Sequence, residues 1–247
     1  MIMLEWTYTP ENYFESHVEI TRDHYVLAIG DGKAEAKIDD TTFDADPEYR
    51  QKLHDALDAR FLGAQLLSHK AYELSKPRMT RVDAAGRRHI FLHAEPAVFV
   101  TTFFPVDFRV TDQHGNVRVD TGQDRNENTR RMAELISAHI NDPLLFSVTR
   151  SYRAAVRDPN NELVHLYEIR DALAAKLGGK AKACAVLGVE QSAWDTLGRL
   201  CNDEPLRQGR HRGRKVGTPL RDATESELQE ARRIARTMIE NYAVTLR

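Results

Sequence analysis

Between residues 16 and 38 apolar and polar positions alternate, with Tyr25, Leu27 and Ile29 sharing one face, which is the period of half-buried β-strands. Gly30-Asp31-Gly32 interrupts the run with residues that accept positive φ, so a hairpin is predicted there. From residue 47 to about 68 the period becomes helical, because Leu53, Ala56, Leu57, Phe61, Ala64 and Leu67 recur at threes and fours and Pro47 suits a first turn. Strand patterning returns over 79–82, 89–92, 97–104, 106–110 and 117–119, with turns at Ala85-Gly86 and His114-Gly115-Asn116.

Beyond residue 123 the pattern is helical throughout. Helices are predicted over 124–140, 144–157, 161–177, 180–187, 190–200 and 225–246, punctuated by Asn141-Asp142-Pro143, Asp158-Pro159, Gly178-Gly179 and Gly188. Leu163, Leu166, Tyr167, Leu173 and Leu177 form the expected buried stripe of the third of these. The last helix carries Thr224 and Glu227 at capping-box spacing, and its stripe of Leu228, Ala231, Ile234, Ala235, Met238, Ile239 and Tyr242 must dock on the helix that starts at Asn161. The expected fold is therefore α+β. It comprises a mostly antiparallel β domain with one long helix over residues 1–122 and a helical bundle over 123–247.

Composition narrows the classes of function. A net charge of −2 excludes a polybasic nucleic-acid coat, so any anion site must be a local patch. The two cysteines, Cys184 and Cys201, lack metal-ligand spacing, and no secretory leader precedes Trp6, so a reducing cytoplasm is expected. No apolar run reaches the roughly 18 residues of a spanning helix, and no membrane association is expected. Serines are few and none sits in a nucleophile-elbow string.

One local patch stands out. Arg207-Gln-Gly-Arg-His-Arg-Gly-Arg-Lys215 packs five basic residues and His211 into nine positions between two helical segments. A guanidinium presents a donor fork that matches phosphate, and an imidazole moves protons near neutral pH. Arg207, Arg210, Arg212, Arg214 and Lys215, with Asn202 as a polar neighbour, are the candidate nucleic-acid contacts. A plain solvated loop would also be basic.

The helix over 160–173, the segment Trp194-Asp-Thr-Leu-Gly-Arg-Leu-Cys-Asn202, the Arg/His run and the closing amphipathic helix together resemble a HEPN domain of the Apea-like kind, over roughly residues 150–247. That resemblance implies a helical bundle that pairs two-fold as a homodimer. It also implies binding of RNA or nucleotide and, in many members, metal-independent endoribonuclease activity from an Arg and a His at the dimer cleft. Carried onto this chain, the catalytic residues would be His211 with Arg210 or Arg207, although Arg207 lies closer to His211 than the family's usual interval and Arg210 is adjacent to it. The imidazole would move the ribose 2′-hydroxyl or leaving-group proton while guanidinium groups stabilise charge on phosphorus oxygens, so RNA would be cut and DNA spared.

Residues 173–200 suggest a second reading, a helix-turn-helix regulator turning at Leu187-Gly188-Val189. Gln191 and Ser192 would then face DNA bases and the basic loop that follows would grip phosphates, while Asp195 sits unfavourably near phosphate and Trp194 and Leu197 suit a core. A non-catalytic interaction or scaffold protein is the third. Glu162, His165 and Glu168 are spaced to coordinate a metal or relay a proton, but such a trio is ordinarily a solvated face with local charge pairing. His89 and His93, about 13 Å apart along one strand, are expected to be structural. Asp39, Asp40, Asp44 and Asp46 are expected to be solvated turn carboxylates, and no metal or cofactor is called for.

Overall fold

A computed structural model describes residues 1–82, 88–91, 107–111, 114, 117–210 and 219–247. The strand expected over 97–104, the turns at 85–86 and 115–116, Leu92, His93 and Val106 lie outside the described residues, as do His211, Arg212, Arg214 and Lys215. The fold is α+β, and the chain divides into two compact units. One comprises Met1–Ala64 and Tyr72–Arg131, the other Gln65–Ala71 and Met132–Arg247.

The first unit is built on an antiparallel sheet. Its strands are β1 (Ile2–Thr9), β2 (Val18–Arg22), β3 (Tyr25–Gly30), β4 (Lys33–Ile38), β5 (Glu73–Leu74), β6 (Arg78–Val82) and β7 (Arg88–Phe91), in the order β2-β3-β4-β1-β6-β7 with β5 also on β1. The hairpin between β3 and β4 turns on Asp31 and Gly32, whose φ values of 50° and 75° are the two positive dihedrals of a type I′ turn. A short helix α1 (Asp40–Ala45) is capped by Asp39, whose carboxylate accepts from the Thr42 amide. Asp44 in turn pairs with Arg81, so part of the expected solvated acidic turn is helical and paired, because its partner lies on β6.

The central strand β1 was not among the predicted strands. Ile2, Leu4, Trp6 and Tyr8 all point into the core, but apolar Met3 blurs the alternation, and the partners of Ile2, Ile38 and Arg81, are distant in sequence. Helix α2 (Tyr49–Ser68) lays Leu53, Leu57, Phe61 and Ala64 against that core. Phe61 anchors an aromatic cluster, with ring centroids 5.2 Å from Tyr13 and 4.9 Å from both Phe14 and Tyr72. Such pairs add about 0.5–1.5 kcal/mol each beyond burial. A separate hairpin pairs β8 (Arg109–Thr111) with β9 (Val117–Asp120).

The second unit is helical. After α3 (Thr121–His139), which enters this unit at Met132, come α4 (Pro143–Arg157), α5 (Glu162–Leu177), α6 (Lys180–Leu187), α7 (Gln191–Gly198) and α8 (Glu225–Thr245). Asp142 caps α4 by accepting from the Leu145 amide and also accepts from the Tyr242 hydroxyl at 3.1 Å. Helix α8 starts with the expected capping box and packs its stripe, from Ala231 to Ala243, against α5 as well as α4, α6 and α7. On α5 the buried apolar residues are Leu163, Leu166, Ile169 and Leu173; Tyr167 and Leu177 are only half-buried. Among the described residues, no helix is long and apolar enough to cross a membrane.

Candidate functional site

The described residues that flank 211–218 are tied together in a closed neck. Helix α7 runs on into a π-helical turn over Arg199–Asp203, where Asn202 sits and its amide donates to Asp203 at 3.0 Å. Leu206 and Arg221 then form a parallel bridge, with the Arg207 amide donating to the Arg221 carbonyl at 3.0 Å and the Arg221 amide to Pro205 at 3.1 Å. The Arg210 amide donates back to the Cys201 carbonyl at 2.8 Å. Gly209 is needed for this closeness, because an added Cβ would lie 3.2 Å from the carbonyl oxygens of both Cys201 and Leu206, which are backbone and cannot swing aside.

The far side of the neck is fixed by charge. Arg221 donates through both terminal nitrogens to Glu227, at 2.7 and 2.6 Å. Glu227 also accepts from the Thr224 amide and hydroxyl. The Arg221 bonds, with Thr224 behind them, hold the Glu227 carboxyl down at about 2.

The two described candidate arginines engage different partners. Arg207 is exposed, 3.7 Å from Asp222, whose carboxylate also accepts from Gln208 at 3.4 Å. Arg210 instead donates to Asp171 at 3.1 Å, with its guanidinium carbon 4.8 Å from the Tyr167 ring centroid. Arg170 joins it there, 5.1 Å from the Tyr167 ring, 5.3 Å from the Trp194 ring and 3.6 Å from Asp171. Two guanidinium groups thus meet one phenol ring and share one carboxylate. The Arg170 Nε is buried and has no hydrogen-bond partner among the described residues.

Helical spacing assembles this group, since Tyr167, Arg170 and Asp171 fall at i, i+3 and i+4 on α5. Gly198 on α7 gives Arg170 room, because a Cβ there would meet its guanidinium at 3.3 Å. On sequence grounds Tyr167 reads as core, and neither Arg170 nor Asp171 stands out. The i, i+3, i+4 trio of an aromatic, a cation and an anion was the available signal.

The helix-turn-helix segment has the expected turn, with Gly188 left-handed at φ 58° between α6 and α7. Leu187, Val189, Trp194 and Leu197 are buried, while Gln191, Ser192 and Asp195 are exposed, and Lys180 pairs with Asp195 at 2.6 Å.

A second polar cluster corrects the expectation of a solvated face at Glu162. Glu162 is only 3% exposed and accepts from Arg232 Nε at 2.6 Å and Nη2 at 2.9 Å. His69, in the short stretch after α2 that belongs to this unit, lies 3.5 Å from Glu162 and 3.3 Å from the Tyr152 hydroxyl, which also donates to the Leu66 carbonyl. Burial, with Arg232 beside it, pushes the imidazole down to about 4. A turn later on α5, His165 lies 3.8 Å from Asp158 and 3.5 Å from Glu168, as local pairing predicts. Among the described residues no group of three or more His, Cys, Asp or Glu side chains is placed to hold a metal ion.

No protein-family model, curated protein or solved structure matches the chain.

Proposed function

We propose that the helical unit is a HEPN-like domain that binds RNA or a nucleotide through its basic loop, with phosphate held by Arg207 and Arg210 and, further along the loop, by Arg212, Arg214 and Lys215. His211 then stands beside the bound backbone as proton donor or acceptor, supported by Arg210 and Arg207, in a metal-independent cleavage that requires the ribose 2′-hydroxyl. Asn202 lies beside Cys201, whose carbonyl holds Arg210, and contributes a polar contact. The domain acts as a homodimer.

The observation that carries this reading is the surplus of positive charge at Tyr167, where Arg170 and Arg210 share the carboxylate of Asp171. An incoming phosphate completes the neutralisation, and a base can stack on arginine or aromatic faces nearby. Fluorescence anisotropy with labelled single-stranded RNA tests it on the whole protein. Replacing both Arg207 and Arg210 with Ala should weaken binding by about tenfold or more, since hydrogen bonds to charged groups contribute about 1.5–3 kcal/mol. Unchanged RNA affinity in that variant sinks the reading. Metal-free incubation with RNA and with DNA of the same sequence tests the chemistry, which predicts cutting of RNA alone and its loss in His211→Ala.

A helix-turn-helix regulator is the second reading, favoured by the left-handed turn at Gly188, the exposed Gln191 and Ser192, and the cancellation of the Asp195 charge by Lys180. Tight binding to duplex DNA, with a sequence preference that Gln191→Ala removes, is its signature.

A further inference from the structure

The first unit contains a groove that owes nothing to the basic loop. Strand β1 is central, paired with β4 along one side and with β6 and β5 along the other. On that second side the ladder breaks at Thr7, because β6 pairs with Ile2 to Glu5 and β5 with Tyr8 and Thr9, while residues 75–77 detour between them. Ser75 replaces the missing ladder bonds by donating its amide to the Thr7 carbonyl and accepting from the Thr7 amide, both at 2.9 Å. Arg50 on α2 holds the Pro77 carbonyl and fixes the detour from behind. Interruptions of this kind re-aim side chains and recur beside binding sites.

The result is a groove of about 310 Å³ over the middle of the sheet. That volume falls in the range of small-molecule sites. Its charges are mixed and ordered by register. Glu5 stands directly opposite Glu35 of β4 on one side and Arg78 of β6 on the other, and Thr7 stands opposite Lys33. Directly opposed residues have Cβ atoms about 5 Å apart, so the Glu5 and Glu35 side chains leave the sheet side by side at the floor of the groove. Lys37 takes up one of them, 3.2 Å from Glu35. Glu5, Lys33 and Arg78 make no ion pair with a described residue, although each lines the groove.

Opposed carboxylates flanked by uncommitted cations match a ligand with charge of both signs. A simple anion would meet Glu5 and Glu35, and a simple cation would meet Lys33, Lys76 and Arg78. We propose that this groove binds a small zwitterion of amino-acid or short-peptide size, its ammonium between Glu5 and Glu35 and its carboxylate against Lys33 and Arg78.

Saturation-transfer NMR and calorimetry on the full chain test this with the twenty common amino acids and the dipeptide Ala-Ala as probes. At least one should bind saturably at millimolar concentration or below. Its N-acetyl and its amide forms, each lacking one charge, should both bind at least tenfold more weakly. Lys33→Ala combined with Arg78→Ala, two exposed positions, should abolish the preference for a free carboxylate, and Glu5→Gln the preference for a free amine, with folding checked by circular dichroism. Arg210→Ala should leave this binding unchanged, which separates it from recognition of RNA. Absence of saturable binding by every probe overturns the proposal. So do equal affinities for blocked and free forms, or full binding by the folded double variant.

Discussion

At Tyr167 the sign of a single substitution distinguishes an anion site from a surface ion pair. Arg170 and Arg210 share Asp171, so a bound phosphate competes with that carboxylate for the same donors. Asp171→Asn should therefore strengthen RNA binding, by up to about fivefold if a partly exposed pair contributes 0.2–1 kcal/mol. Arg210→Ala should act in the opposite direction. Anisotropy titrations over a salt series check both, and the slope should fall by about 0.7 for each single-strand phosphate that the protein no longer neutralises. A weaker affinity in Asp171→Asn would mean that the carboxylate positions Arg210 rather than restraining it.

At the scale of elements, the neck of the loop couples folding to the site. Gly209→Ala places a methyl group 3.2 Å from two fixed carbonyl oxygens, and overpacking of this sort costs about 1–3 kcal/mol. The variant should melt several degrees lower and bind RNA more weakly, because the Cys201 carbonyl that holds the Arg210 amide must shift. Thermal melting and anisotropy on one preparation check this, and wild-type affinity in a destabilised variant would separate the neck from recognition. The elements themselves were largely legible where the signal is local. Helix α8 carried both its capping box and its apolar stripe, the turn at Asp31-Gly32 has the composition its positive dihedrals require, and helix ends fell near Gly178 and Gly188. What failed was non-local. Strand β1 pairs with residues far along the chain, the detour at Ser75 is defined only by the strands it separates, and Arg232 reaches Glu162 across 70 positions. Periodicity reports which face is apolar, and it is silent on which distant charge meets which. For the same reason the sequence drew attention to Arg210 but not to Tyr167, Arg170 and Asp171, which it meets only in the folded chain.

For the whole molecule, the buried cluster around His69 sets a response to acid. The groups facing its imidazole are the Glu162 carboxylate, the Tyr152 hydroxyl and the Arg232 guanidinium, and Glu162 is already committed to Arg232. Burial and the neighbouring cation hold the folded-state value at about 4, below the ordinary histidine value of about 6.5. Between those values the unfolded chain binds the extra proton and the folded chain does not, so stability falls as pH drops from about 6.5 to about 4 and the contribution of this group is constant outside that window. The full difference corresponds to at most about 3 kcal/mol. Position 69 is left-handed, at φ 50°, a conformation that Asn tolerates better than most residues, so His69→Asn removes the titration with little added backbone strain. That variant should lose less stability than the parent between pH 6.5 and 4, whatever its stability at neutral pH. Melting temperatures across that range, compared between the two proteins, decide the matter, and parallel profiles would show that the imidazole is not the group that responds. Glu227, held down at about 2 by Arg221, contributes in a different window, present above its ordinary value of 4.5 and lost as pH falls through 2. Of these two windows, only the one nearer neutrality depends on His69.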